Sequence, residues 1–322
     1  MMKIRSHTID HGAGEAVDQG LSANPKRLPS WLFYDDEGDK LFQAIMRMPE
    51  YYVTSCEYEI LHNHRDTLLS YFTFFDDAFR LIELGAGDGL KTQLLLEYFA
   101  AERIPFEYVP VDVSAHALEL ISTRMKRIIP DLKLDPREAR YEDAIAALKL
   151  DERSKVVLFL GANIGNYPRQ QALTFMKHLF NHLHADDLVL MGFDLKKDPR
   201  IIQRAYDDPN GITEAFNLNL LKRINRELGG DFRIQYFEHY PTYDPVNGEA
   251  RSYLVSKRKQ AVRIDALGKT FLFQAWEPIH TEVSQKYDLP MIEDITARSG
   301  FQLVETFFDS KRYFCDVLLR KP

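Results

Sequence analysis

Short apolar runs and longer amphipathic segments alternate through the middle of the chain. Four runs of strand length cover residues 81–84, 108–112, 155–160 and 188–194, and the intervening residues 91–99, 115–129 and 169–183 have apolar positions at helical spacing. Continuous apolar runs are typical of parallel strands that are buried on both faces, with helices as the connections between them. The pattern predicts an α/β fold with a doubly wound sheet.

The alternation stops after about residue 200. Residues 212–228 have helical spacing, and strand-like alternation follows at 232–240, 251–256 and 271–284, with Pro241, Pro245 and Gly248 as predicted turn residues. A block of this size is long enough to form a lobe of its own. A helix at 291–299 and two strands at 301–307 and 313–319 then complete the chain, and we expect these two strands to form an antiparallel hairpin.

These patterns predict two parts. Residues 60–200 and 285–322 are expected to form a cofactor-binding core, and residues 1–59 and 201–284 a substrate-binding lobe. Residues 1–23 are polar, and we expect no fixed structure there beyond a short amphipathic turn. The aromatic-rich residues 31–52 have mostly helical spacing, which indicates core packing. Thr54 and Glu57 have the spacing of a capping box at the start of the next helix.

Three glycines spaced two apart separate a predicted strand from a predicted helix. The stretch reads LIELGAGDG and contains Gly85, Gly87 and Gly89. Glycine suits backbone with positive φ or close approach to a ligand, and free N–H groups at a helix start favour a polar or anionic group. A dinucleotide site needs its third glycine three residues after the second, so the spacing argues against a NAD-dependent oxidoreductase. We expect a ligand-binding turn of another kind.

An acidic residue follows this turn at the end of the next predicted strand. Asp112 ends the next apolar run, roughly twenty residues after the glycines, where an acid at the carboxyl end of a strand can accept hydrogen bonds from ribose hydroxyl groups. The alternative is that Asp112 only caps the following helix, although Ser114 is also suited to that position. Further along, Asp143 or its neighbouring amide could reach an adenine edge.

Composition narrows the classes of protein. The 322 residues include 41 Lys and Arg against 48 Asp and Glu, and no basic run is present, which argues against a nucleic-acid partner. Two cysteines are too few for a disulfide framework or a thiolate zinc site. His178, His182 and His184 lack a matching carboxylate or cysteine, so we expect a solvated helix face and no metal. The polar residues 1–12 and the absence of a long apolar run predict a cytoplasmic protein without a membrane partner, and we expect a monomer.

The strand and glycine turn together resemble motif I of class I S-adenosylmethionine-dependent methyltransferases, (V/I/L)(D/E)(L/I)GxGxG, with Glu83 as its acid. Other stretches are similar to the ergothioneine-pathway histidine Nα-methyltransferases. They are FYDDEGDKLF, MPEYYVT, LIELGAGDGLKT, FLGANIGN, RAYDDPNGITEAFNLNLLKRINRELGGDF and TEVSQKY, and they extend from about residue 22 to the end. The resemblance implies a Rossmann-like class I methyltransferase sheet with a closing antiparallel hairpin and an inserted α+β substrate lobe.

The same resemblance implies a set of site residues. S-adenosyl-L-methionine would be the cofactor, and a small amino acid the substrate. The implied cofactor contacts are Gly85, Gly87, Lys91, Asp112 and Asp143. The implied substrate contacts are Tyr51, Asn166 and Tyr206 at the α-amino-acid end, with Tyr34 nearby, and Glu282 and Ser284 at the imidazole. Tyr34 and Tyr51 are the candidate catalytic residues, since the proton of the amine has to leave either to bulk water or through one of these two hydroxyl groups. In the better-known relatives a methionine and a threonine stand where this chain has Ser252 and Asn163.

The implied reaction is Nα-methylation of L-histidine, ending in the trimethylated betaine. Ser252 and Asn163 leave another aromatic amino acid such as tryptophan, or a modified histidine, as an alternative substrate. A second alternative is a cofactor-binding protein without catalytic activity, and the presence of Asn166, Tyr206 and Glu282 argues against it.

Overall fold

The computed structural model describes residues 11–73 and 78–322. Its α-helices are α1 His11–Ser22, α2 Asp36–Met46, α3 Tyr52–Phe72, α4 Leu90–Ala101, α5 Ala115–Ile128, α6 Tyr141–Leu148, α7 Arg169–His182, α8 Pro199–Tyr206, α9 Ile212–Leu228 and α10 Leu289–Ser299. Its strands are β1 Lys26–Arg27, β2 Phe79–Leu84, β3 Phe106–Asp112, β4 Lys133–Leu134, β5 Arg137–Glu138, β6 Lys155–Phe159, β7 Leu188–Asp194, β8 Phe237–Asp244, β9 Glu249–Ser256, β10 Gln260–Ile264, β11 Lys269–Phe273, β12 Glu277–Gln285, β13 Gln302–Phe308 and β14 Phe314–Arg320.

The described residues divide into two compact units. The core unit consists of Tyr51–Asp198 and Gln285–Pro322, and the insert unit consists of the described residues up to Glu50 together with Pro199–Ser284. The assignment of cofactor binding to the first unit and substrate binding to the second stays a prediction.

The core unit contains the larger sheet. Its strands lie in the order β13-β14-β7-β6-β2-β3-β4, and β5 pairs with β3. Strands β2, β3, β6 and β7 are parallel, whereas β14 is antiparallel to both β7 and β13. This is the class I methyltransferase arrangement, so the predicted fold and its closing hairpin are confirmed.

Hydrophobic runs explain why these strands occupy the centre. Every residue of β2, β6 and β7 is buried, as expected for strands covered by helices on both faces. Side chains of α6, α7 and α10 pack on one face of the sheet, and Ile145, Met176 and Ile292 are among the most buried. The carboxyl ends of β2, β3 and β6 are the places where ligands bind in open α/β sheets.

The insert unit contains a smaller sheet with strand order β1-β12-β9-β8 and a separate β10-β11 pair. Helix α9 packs on α2 and on β8. Asp208 lies four residues before the start of α9, and its carboxylate accepts hydrogen bonds from the N–H groups of Asn210, Ile212 and Thr213. The DDPNG stretch of the sequence therefore has a local structural role as a helix start.

Several local predictions were wrong. The first segment forms helix α1, in which Ala13, Val17 and Leu21 lie four residues apart and are buried. Helix α3 begins at Tyr52, so Thr54 and Glu57 are inside it and form no capping box. Pro241, predicted in a turn, pairs with Ser252 within β8; β8 is the last strand of its sheet, where a residue without an N–H is tolerated.

Within the part of the chain that the structure describes, no helix has the length and apolar composition to cross a membrane. Residues 1–12 are part of the basis for expecting a cytoplasmic protein, and of these, positions 1–10 lie outside the described residues.

Candidate active site

The glycine turn after β2 has the backbone that the sequence predicts. Gly85, Gly87 and Gly89 have φ values of 77°, 54° and 62°, in the left-handed region that favours glycine. A Cβ at Gly85 would lie 2.4 Å from the Tyr141 hydroxyl oxygen, so only glycine fits there. A Cβ at Gly87 would have no atom within 4 Å, which means that the turn faces open space at this position. A ligand can therefore approach the backbone at Gly87.

Asp112 is fixed beside this turn at the end of β3. Its Oδ2 accepts a hydrogen bond from the Gly87 N–H at 2.9 Å, and its Oδ1 accepts one from the Ser114 N–H at 2.9 Å. Burial raises the pKa of the Asp112 carboxyl, although the backbone donors Ser114, Gly87 and Val113 oppose the shift. The helix cap itself is Ser114, whose side chain accepts from the Ala117 N–H at 3.2 Å. Asp112 is thus a half-buried acceptor joined to the turn, and not the cap of α5.

Lys91, the second residue of α4, forms an ion pair with Glu57 of α3. The Glu57 carboxylate also accepts from the Gly161 N–H, at 2.7 Å to Oε1 and 3.0 Å to Oε2. Burial lowers the pKa of the Lys91 ammonium, but the charge of Glu57 and the hydrogen bond to it outweigh burial and leave that pKa above its ordinary value. Lys91 therefore stays cationic beside the glycine turn.

Two further predicted residues belong to the core unit. Tyr51 directly precedes α3, and Asn166 ends the short 3-10 turn Asn163–Asn166 after β6; both are half-buried. The amide nitrogen of Asn163 would lie 3.0 Å from a Cβ at Gly85, so the loop after β6 adjoins the glycine turn.

The remaining predicted residues belong to the insert unit. Ser252 of β9 donates a hydrogen bond to Oε2 of Glu282 in β12 at 3.2 Å. Ser284, two residues further along the strand, is buried, as is Tyr206 at the end of α8. The Tyr34 ring packs edge-on against Phe42, with centroids 5.7 Å apart. The structure thus joins Glu282 to Ser252, one of the two positions at which the resemblance implies a departure from the better-known relatives.

Sequence reasoning missed two residues beside the glycine turn. Tyr141, the first residue of α6, reaches Gly85 with its hydroxyl, whereas Asp143 is exposed on the first turn of the same helix. Asp143 as a cofactor contact stays a prediction. Glu57 was assigned to a cap, although it falls among the buried residues Val53, Cys56 and Ile60. An acid within the apolar stripe of a helix indicates a buried, paired charge, and that pattern could have identified it.

These residues fit S-adenosylmethionine. The open space at Gly87 accommodates a ligand against the backbone, and Asp112 supplies an acceptor for ribose hydroxyl groups. The ammonium of Lys91 complements a carboxylate such as that of the methionyl part. Among the described residues, no three or more His, Cys, Asp or Glu side chains are grouped so as to hold a metal ion.

Comparison with known proteins gives similarity along nearly the whole chain. The family model described as "Histidine-specific methyltransferase, SAM-dependent" matches residues 13–321. A histidine N-alpha-methyltransferase of Mycolicibacterium smegmatis is 35% identical over 312 residues, covering 96% of both chains. A protein of the same name from Mycobacterium tuberculosis is 34% identical over 293 residues, covering 91% of this chain and 90% of the relative. Among solved structures, the CcbJ methyltransferase of Streptomyces caelestis is 13% identical with a TM-score of 0.46, and the match covers 81% of this chain and 95% of that one.

The residues matched by the family model include the glycine turn, Lys91 and Asp112, as well as the insert unit from residue 13 onward. The chain therefore belongs to the family of histidine-specific methyltransferases that use S-adenosylmethionine, and it is a methyltransferase with that cofactor.

Proposed function

We propose that the enzyme methylates the α-amine of L-histidine, and that three successive transfers give the trimethylated betaine, hercynine. The similarity to two proteins named histidine N-alpha-methyltransferase supports the acceptor amine. The observation that carries the choice of side chain is the half-buried Glu282 carboxylate, which a hydrogen bond from Ser252 holds in place. Imidazole carries an N–H donor that such a carboxylate accepts, whereas a phenyl ring offers it no donor.

The residues of this chain have to bind, orient and deprotonate the amine. S-adenosylmethionine supplies an electrophilic methyl group on a sulfonium centre. Tyr51, Asn166 and Tyr206 are proposed to bind the α-amino-acid end, since phenol and amide groups bind a carboxylate and orient an amine without adding charge. An ammonium has no lone pair, so the amine must lose a proton before each transfer. That proton is proposed to leave to bulk water, either directly or through the hydroxyl group of Tyr34 or Tyr51, which gives up its own proton as it accepts one. Holding the amine in line with its reaction partner contributes on the order of 7 kcal/mol where orientation is ideal.

Mass spectrometry of the products tests this function. The purified enzyme is incubated with S-adenosylmethionine and one free amino acid at a time, and we expect mono-, di- and trimethylated histidine to appear in succession. If histidine stays unmodified and tryptophan is methylated, the alternative substrate is the correct one. No methylated product from any amino acid would contradict the proposal altogether.

Glu282→Gln tests the assigned contact to the ring. The substitution keeps the shape of the side chain but removes its charge, so we expect the KM for histidine to rise about tenfold or more, because a charge-assisted hydrogen bond is lost. Glu277→Gln is the matched control, since Glu277 lies on the same strand and pairs with Lys26 at 2.6 Å. An equal rise of KM in both variants would contradict a direct role for Glu282.

A further inference from the structure

We propose that Glu57 is a positioning residue of the cofactor site, whose single carboxylate holds the Lys91 ammonium and the Gly161 amide together. Glu57 thereby sets the spacing between the glycine turn and the loop after β6. The inference depends on S-adenosylmethionine binding and not on which amino acid is methylated.

The fold makes room for this carboxylate. Glu57 is fully buried, and its Oε1 lies only 2.4 Å from where a Cβ at Gly192 of β7 would be. The ring of Phe314 would lie 2.9 Å from the same Cβ, so a side chain at position 192 would have no space. Glycine in the interior of a strand often marks close approach of another group. Because Gly192 has no Cβ, the Glu57 carboxylate can lie against the sheet at this position.

The carboxylate joins two segments that are distant in sequence. Lys91 follows the glycine turn, and Gly161 begins the loop that also contains Asn163 and Asn166. Both segments lie at carboxyl ends of neighbouring parallel strands, β2 and β6. That edge of the sheet is where α/β enzymes bind their ligands, so a displacement of either segment changes the cofactor site.

A second buried acid supports Glu57 from the neighbouring strand. Asp316 of β14 is fully buried and pairs in register with Gly192. Within residues 11–73 and 78–322, neither Asp316 oxygen accepts a hydrogen bond, while the Glu57 carboxylate lies within hydrogen-bonding reach. Burial, and then the charge of Glu57, raises the pKa of the Asp316 carboxyl well above its ordinary value. A protonated Asp316 can donate its O–H to Glu57, so the group of three carries one positive and one negative charge.

A double-mutant cycle tests the proposal through the affinity for S-adenosylhomocysteine, measured by calorimetric titration without any amino acid. The variants are Glu57→Gln, Lys91→Met and the double variant, with Glu97→Gln as a control on the exposed side of α4. Glutamine at 57 still accepts from Gly161 but cannot pair with the ammonium. We expect Glu57→Gln alone to weaken binding about tenfold, and the double variant to bind within about twofold of Lys91→Met, because residues that act through one another are not additive.

Additive losses, or wild-type affinity in Glu57→Gln, would overturn the proposal. If Glu57→Gln fails to fold because Lys91 is left buried without its partner, the double variant is still expected to fold, since both charges are then absent. Its comparison with Lys91→Met then decides: equal affinity supports the proposal, and a further tenfold loss overturns it. Asp316→Asn, which keeps a donor toward Glu57, is expected to bind within about twofold of the wild type, and Asp316→Ala more weakly. Failure of the histidine assay leaves all these comparisons intact.

Discussion

At the scale of single residues, Glu83 is a buried acid of the larger sheet, two residues before the glycine turn. It lies in β2 with 3% of its surface exposed, and Thr92 and Tyr108 donate hydrogen bonds to it. Burial raises the pKa of Glu83 to about 7, although both donors and the charge of Lys91 oppose the shift. The carboxyl group is therefore close to half-protonated at neutral pH.

Glu83→Gln is expected to remove a pH dependence of stability. Because the folded-state pKa of about 7 exceeds the ordinary value of 4.5, the proton stabilises the folded state fully below pH 4.5, and this contribution is lost as the pH rises through 7. Glutamine is neutral throughout. The variant should therefore gain stability relative to the wild type between pH 5 and pH 8, by on the order of 3 kcal/mol. Urea unfolding at both pH values measures the difference.

The control for this prediction is Glu97→Gln, which changes an exposed glutamate on α4. Its difference from the wild type should be the same at both pH values. A Glu83→Gln difference that is also constant with pH would show that Glu83 is ionised throughout in the folded enzyme.

At the scale of elements, the predicted contact between the glycine turn and the cofactor can be tested with a control for backbone strain. Gly87 and Gly268 both have positive φ, and a Cβ at either would have no atom within 4 Å. Alanine should therefore lower the free energy of unfolding by about 1 kcal/mol at each position. Only Gly87→Ala places a methyl group in the space of the cofactor turn, so we expect only this variant to lose affinity for S-adenosylhomocysteine, by about tenfold or more. Equal affinities of the two variants would contradict a close approach of the ligand to Gly87.

Elements with a strong local pattern could be predicted from the sequence, and those that depend on distant partners could not. The runs that became β2, β3, β6 and β7 are mainly apolar, and the hairpin β13-β14 has two strand patterns around a polar turn. Helix α1 is not predicted, because Gly12, Gly14 and Gly20 lower the helical propensity of the segment. Its buried apolar residues do have helical spacing, four residues apart, but they are few. Proline predicts a turn at position 241 unless the strand is known to lie at the edge of a sheet. The edge position of β8 depends on the order of the strands, which the local sequence does not reveal.

The site shows the same division. Short-range spacing predicts Gly85, Gly87 and Asp112, and the structure brings them together: the hydrogen bond between Gly87 and Asp112 spans 25 residues within one strand-helix-strand unit. Glu57 binds partners 34 and 104 residues away, which no local pattern reveals. Tyr141 is close to Gly85 only because α6 begins beside the turn. Tertiary contacts of this kind decide which polar residues reach the ligand.

At the scale of the whole molecule, the cofactor site exists only in the folded chain. The proposed site combines residues from α3, the turn before α4, the end of β3 and the loop after β6, and unfolding separates all of them. A ligand that binds only the folded state stabilises it by about 2.7 kcal/mol at a concentration of 100 times its Kd. S-adenosylhomocysteine should therefore raise the melting temperature with the logarithm of its concentration, and Gly87→Ala should shift this dependence to higher concentrations.

The same titration distinguishes S-adenosylhomocysteine from NAD, the dinucleotide against which the glycine spacing argues. NAD also has an adenosine that could interact with Asp112, but its pyrophosphate needs a third glycine three residues after the second, and Leu90 stands at that position. We expect NAD at the same concentrations to leave the melting temperature unchanged. A higher melting temperature with NAD but not with S-adenosylhomocysteine would contradict the assignment of the turn. Only a ligand that binds the folded state stabilises it by mass action.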